Sequence, residues 1–233
     1  MAVKINGEVA PGFERVADTF AANFERDDGY REIGASFAAY RGDQLVADLW
    51  AGSRDQARQV PWTRDTLVNV WSATKGVTAL ALAVLVGRGQ IDYAAPVARY
   101  WPEFAANGKE DVTVSQLLSH QAGLPGFVEP TPLTDFYDWA TVTDRLARQA
   151  PMWRPGEKNA YHAMTFGFLA GELVRRASGK SVGRFLAEDV AGPLKADVYI
   201  GLPESEEHRV APLVASPTQA PFDLAAMPPA VMA

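Results

Sequence analysis

Phe13, Val16, Ala17, Phe20 and Phe24 recur at intervals of three and four, the spacing of one stripe along a helix, and Asp27-Asp28-Gly29 ends that pattern. Two short apolar-rich runs follow, Ile33 to Tyr40 and Gln44 to Ala51, joined by Arg41-Gly42-Asp43. That is a β-hairpin with glycine in its turn, and a hairpin alone is too small to stand as a sheet. From Ser72 the period becomes helical. Val77 to Val86 is apolar all round, which predicts a helix buried in the centre of the protein, ended by Gly87 and Gly89. Further helices are expected at Ser115–Ser119, Thr134–Gln149, Met164–Ala177 (closed by Gly179) and Val182–Asp189, with Pro and Gly clusters between them. The pattern is α+β: a helical lobe, roughly Pro61 to Lys180, packed on an antiparallel sheet. We expect one domain over 1–210 and a Pro-rich extended segment over 211–233, with no internal repeat.

Composition narrows the chemistry. Of 233 residues, 48% are hydrophobic and 21% charged, and 28 acidic against 22 basic residues leave a net charge of −6. No basic run forms a phosphate-binding stripe, so nucleic acid and acidic membrane surfaces are not expected partners. The absence of cysteine removes disulfides, thiolate nucleophiles and zinc–thiolate sites together. His120, His162 and His208 have no close helical spacing, so no metal and no cofactor is expected. Met1 to Phe20 lacks the features of a secretory signal, and Val77–Val86 is far shorter than the roughly 20 residues that cross a bilayer. The expectation is a soluble, cytoplasmic protein.

One short motif carries a reaction. Ser72-Ala73-Thr74-Lys75 sits where a loop feeds the apolar helix, and a spacing of three places both side chains on one helical face. A serine hydroxyl needs a neighbouring base, and a lysine serves as one where burial and the positive end of a helix dipole disfavour its charge. The Ser72 backbone N–H is a candidate oxyanion donor. The plainer alternative is a helix N-cap followed by a solvated lysine, but the residues after Lys75 leave almost no wet face for one. Tyr161, between the turn Arg154-Pro155-Gly156 and the helix expected near Met164, can hydrogen-bond both a lysine and a serine hydroxyl and pass a proton between substrate and nucleophile, or else is a packing tyrosine with a wet hydroxyl. His162 beside it reads as a loop-packing residue.

Taken in order, Trp71-Ser72-Ala73-Thr74-Lys75, then Leu117-Leu118-Ser119-His120-Gln121-Ala122-Gly123-Leu124-Pro125, then Pro155-Gly156 ahead of Tyr161-His162, then Gly192-Pro193-Leu194, resemble the serine β-lactamase and penicillin-binding-protein superfamily. Within it the chain is most similar to carboxylesterases of class C β-lactamase fold and to β-lactamase-like proteins. The resemblance runs from about Ile33 to Leu202. It implies a β-lactamase/transpeptidase-like fold, Ser72 as acylated nucleophile, Lys75 as its base partner and Tyr161 as the tyrosine of the second motif. Two departures matter. Class C β-lactamases carry Asn two residues after that tyrosine, where this chain has Ala163, and losing the amide favours a small ester over a β-lactam. The family's third motif, a Lys, His or Trp leading into small residues on a strand, does not follow Leu202.

Other readings are weaker. Gly34-Ala35-Ser36-Phe37-Ala38 lacks the second glycine of a nucleophile elbow, and Gly179-Lys180-Ser181 lacks the first glycine and the preceding strand of a phosphate loop. A β-lactamase or acyltransferase of the same fold, and a non-catalytic binding or scaffold protein, remain as alternatives to the esterase. Because the hairpin cannot stand alone and the third motif is missing, we expect C-terminal strands to be missing here. An open sheet edge would then be covered by a further C-terminal segment or a separate chain.

Overall fold

The computed structural model describes residues 3–27 and 29–214. The expected extended segment at 211–233 therefore lies almost wholly outside the described residues. The chain divides into two compact units: the described parts of 1–69 and 203–233 form one, and Val70–Leu202 forms the other.

The first unit is built on a three-stranded antiparallel sheet of β1 (Ile5–Val9), β2 (Gly34–Arg41) and β3 (Gln44–Gly52), in the order β1-β3-β2. The hairpin of β2 and β3 was legible from two apolar-rich runs joined at Gly42, and a bulge at Ala39/Tyr40 interrupts its register. β1 was not foreseen, because five residues with a central Gly7 give too little alternation to read. It pairs with β3 from Ile5↔Ala51 to Val9↔Ala47 and supplies the third strand the hairpin needs. Helix α1 (Glu14–Ala22) packs on this sheet. Phe20 and Phe24, edge to face at 5.5 Å, bury against Leu49 and Ala51 of β3. Among the described residues nothing pairs with the outer edge of β2, where Phe37 and Tyr40 are exposed. A short parallel pair, β4 (Leu67–Val68) with β5 (Val210–Ala211), completes the unit.

The second unit is helical. Helix α2 (Ala73–Gly87) packs against α5 (Phe166–Ser178), with α3 (Val114–Leu118) and α4 (Trp139–Arg148) around them. Leu82, Leu85, Leu117, Leu146, Leu169 and Leu173 are fully buried in one core, each contributing roughly 1.5–3 kcal/mol by its removal from water. The expected burial of α2 on all sides is corrected. Thr78, Ala81, Leu82 and Leu85 are buried, whereas Leu80 is 47% exposed and Gly76 and Ala83 are open. The helix meets its neighbours along one stripe only, and hydrophobicity all round does not choose which stripe.

The expected helix at Thr134–Gln149 is broken. A 3-10 turn (Leu133–Tyr137) leads to Asp138 in extended conformation, whose carboxylate accepts the Ala140 and Thr141 N–H groups and starts α4 afresh. Gly179 closes α5 in the left-handed conformation, φ 73°, as its position predicts. Beyond it α6 (Val182–Phe185) runs through a π-helical turn (Leu186–Ala191) into α7 (Gly192–Leu194).

Candidate active site

Ser72, Lys75 and Tyr161 all lie in the helical unit, and the fold brings them together. Trp71 carries the turn into α2 with φ 48°, an uncommon conformation for a bulky residue that costs of order 1–3 kcal/mol. The turn closes by Ala73 N–H to Val70 O (3.1 Å), Thr74 N–H to Trp71 O (3.0 Å) and Lys75 N–H to Ser72 O (3.0 Å). Ser72 therefore has helical angles, φ −70° and ψ −9°, and its hydroxyl makes no capping bond. The N-cap alternative required that bond. Lys75 Nζ instead donates to Ser72 Oγ at 3.3 Å. Lys75 is half-buried and Ser72 is exposed.

Tyr161 faces this pair from the loop before α5. The Lys75 ammonium lies 4.7 Å from the centre of its ring, within reach of a cation–π contact. Hydrogen bonding from Lys75, and then from Ser72, holds the phenol below its ordinary pKa by stabilising the phenolate. One phenol oxygen thus communicates with both the ammonium and the serine hydroxyl.

Behind Tyr161 the chain is densely tied. His162 is fully buried; its Nε2 accepts the Leu124 N–H at 3.1 Å, so its Nδ1 carries the proton and donates to Ala160 O at 2.6 Å. Burial first, and the neighbouring His120 to a lesser degree, hold its pKa below the usual 6.5, so the ring is neutral. With both nitrogens spent, His162 is a packing residue and no base. Thr165, also buried, donates to Leu124 O at 2.6 Å, and Asn159 Nδ2 donates to Ser119 O. Gly123, at φ 73°, lets 119–124 run against 151–156: a Cβ there would sit 2.7 Å from Trp153 O and 2.8 Å from a Pro151 carbon. Ala163, which stands where class C β-lactamases carry Asn, is exposed.

The sequence carried no role for His120. It has φ 62°, and its ring lies against Tyr161, His162 and Phe166 at 5.0, 5.4 and 5.1 Å. The signal for it was weak, a histidine in a loop motif, because its neighbours come from segments 40 residues further on. His208 lies in the other unit, its Nδ1 bonded to Ser205 O. Among the described residues no three His, Cys, Asp or Glu side chains gather as a metal site, and no helix is long and apolar enough to cross a membrane.

The fold thus gathers a helix-borne serine, a lysine one turn on and a tyrosine reaching in from a loop. The chain belongs to the β-lactamase family, whose model matches residues 20–233. It is 42% identical over 204 residues to an esterase/β-lactamase, LipL, of Mycobacterium tuberculosis, covering 87% of this chain and 46% of that protein. A family VIII carboxylesterase of known structure superposes with a TM-score of 0.85 at 52% identity, covering 91% of this chain and 57% of the other. A penicillin-binding-protein homologue from Caulobacter crescentus gives 0.87 at 45% identity, covering 94% and 58%. The fold is β-lactamase/transpeptidase-like, with helices and an antiparallel sheet, and the chain spans about half the length of the relatives it matches.

Proposed function

We propose that this chain supplies the nucleophile side of a serine hydrolase that forms an acyl-enzyme on Ser72 and acts on small carboxylic esters. The observation that carries the reading is the 3.3 Å contact of Lys75 Nζ with Ser72 Oγ, with the Tyr161 ring 4.7 Å from the same ammonium. On this reading Ser72 Oγ attacks the ester carbonyl carbon and gives its proton to the Tyr161 oxygen, which takes part as the phenolate stabilised by Lys75. The tetrahedral intermediate collapses, its C–O bond to the alcohol breaks, and the leaving alkoxide takes the proton from Tyr161. Water, losing a proton to the same oxygen, then attacks the acyl-Ser72 carbonyl. Carboxylic acid leaves and the serine regains its proton. The Ser72 backbone N–H is one oxyanion donor.

Ala163 supports an ester over a β-lactam, since a methyl group cannot hold the amide side chain of an antibiotic. The names of the relatives include both activities, so the comparison must be measured. We further propose that residues 1–210 form the N-terminal part of one such domain. The strand facing Ser72 would be supplied by a further segment or a separate chain, consistent with relatives about twice as long.

The test is covalent labelling. A fluorophosphonate probe should modify Ser72 of the wild type and leave Ser72→Ala untouched, as intact-mass and peptide analysis would report. On the protein completed with its partner strands, kcat/KM for p-nitrophenyl acetate should exceed that for nitrocefin. Absence of label on Ser72 overturns the hydrolase, and equal or faster nitrocefin turnover overturns the ester preference.

A further inference from the structure

We propose that His120 is the positioning residue of this site: it brackets Tyr161 by binding the backbone on both sides of it and walls the phenol in place over Lys75. The inference rests on the hydrolase reading above for its meaning, but its geometry stands alone. Residues 160 and 162 flank the tyrosine, and both of their amides go to the same residue. Ala160 N–H donates to His120 O at 3.2 Å, and His162 N–H donates to His120 Nδ1 at 3.2 Å. A chain held at both neighbours of a residue has little freedom to swing that residue's side chain.

The ring completes the bracket. Its plane meets the Tyr161 ring at 5.0 Å and 57°, and its other neighbours are the rings of His162 and of Phe166 at the start of α5. Two features are needed for one residue to offer a backbone carbonyl and a side-chain acceptor to the same segment. One is the left-handed backbone, φ 62°, which turns both groups towards 160–162. The other is a side-chain acceptor at short reach, which Nδ1 is only in the neutral ring.

The titratable and charged groups that face His120 are Lys75 from α2 and Tyr161 and His162 from the loop, with the apolar Phe166 from α5. Burial first, and then the Lys75 charge, hold its pKa below the usual 6.5, which keeps Nδ1 an acceptor at neutral pH. Protonation would set a donor against the His162 N–H and a second cation beside Lys75. Nothing in this arrangement lets His120 touch the reacting atoms, so its effect passes through Tyr161.

The experiment reads Tyr161 directly. Its ionisation is followed as the tyrosinate absorbance difference between the chain and its Tyr161→Phe variant, in wild-type, His120→Gly and His120→Asn backgrounds. Glycine is unstrained at φ 62°, so that variant keeps the turn while losing ring and acceptor; asparagine tolerates the same backbone and restores an acceptor oxygen. We expect Tyr161 to ionise below an ordinary tyrosine in the wild type, to return to the ordinary range in His120→Gly, and to move down again in His120→Asn. The rate of Ser72 labelling by a fluorophosphonate should fall about 10²-fold in His120→Gly, the scale of a relay group displaced by about 1 Å, and recover substantially in His120→Asn. An unchanged Tyr161 ionisation in His120→Gly overturns the proposal, since a residue that merely packs the loop would lower the melting temperature without moving that titration. If the wild type takes no label, the hydrolase reading fails while the titration still decides whether His120 positions Tyr161.

Discussion

The front and the back of the candidate site are built on opposite terms. In front, Ser72 is exposed, Tyr161 is 52% exposed, and a single 3.3 Å bond joins serine to lysine. Behind, His162, Thr165 and Leu124 are all fully buried and bonded to one another, so that two loops 40 residues apart behave as one piece. Groups that must meet a substrate cannot also be buried against protein, so their placement comes from polar bonds one layer deeper, where water does not compete.

That contrast predicts that changes in front alter chemistry and changes behind alter stability. The largest effect is Ser72→Ala, which should cut ester turnover or probe labelling by about 10⁶-fold while leaving the thermal midpoint nearly unchanged, because an exposed hydroxyl without a capping bond holds nothing up. A large drop in melting temperature would break the contrast. His162→Ala should do the reverse. It leaves the Leu124 N–H without an acceptor and opens a cavity, a cost of about 3 kcal/mol that chemical denaturation would measure. Gly123→Ala should cost about 2 kcal/mol on the same measurement, since a Cβ at φ 73° meets Trp153 O and Pro151 at once. A neutral result there would show that 119–124 and 151–156 are free to move apart.

The smallest expected effect is a pH dependence. Both His120 and His162 are depressed below 6.5 in the fold, so the unfolded chain binds protons first as pH falls. Their contribution to stability is fully present above 6.5 and is lost progressively as pH drops through their lower, folded values. Denaturation midpoints measured from pH 7.5 to 5 should show that loss, reduced in His120→Asn, where one of the two groups no longer titrates. A profile identical in the variant would remove His120 from the account.

Much of the site was legible in the chain itself. The spacing of Ser72 and Lys75 fixes their shared helical face wherever the helix lies, Gly179 ends α5 by its own backbone preference, and apolar-rich runs either side of Gly42 mark β2 and β3. These are local effects, decided within a few residues. What required the tertiary structure was everything that depends on a partner distant in sequence. β1 is a strand because β3 lies beside it, and the apolar α2 shows Leu80 to solvent because its neighbours reach only one stripe of it. His120 is the sharpest case. Its residue type and its motif say nothing of Tyr161, because the bracket forms only when a left-handed turn at 120 meets the backbone of 160 and 162. Sequence determined which residues are the candidates for chemistry, since helical period and side-chain type are local; the fold alone determined what holds them still, since a hydrogen bond between segments 40 residues apart leaves no periodic trace along the chain.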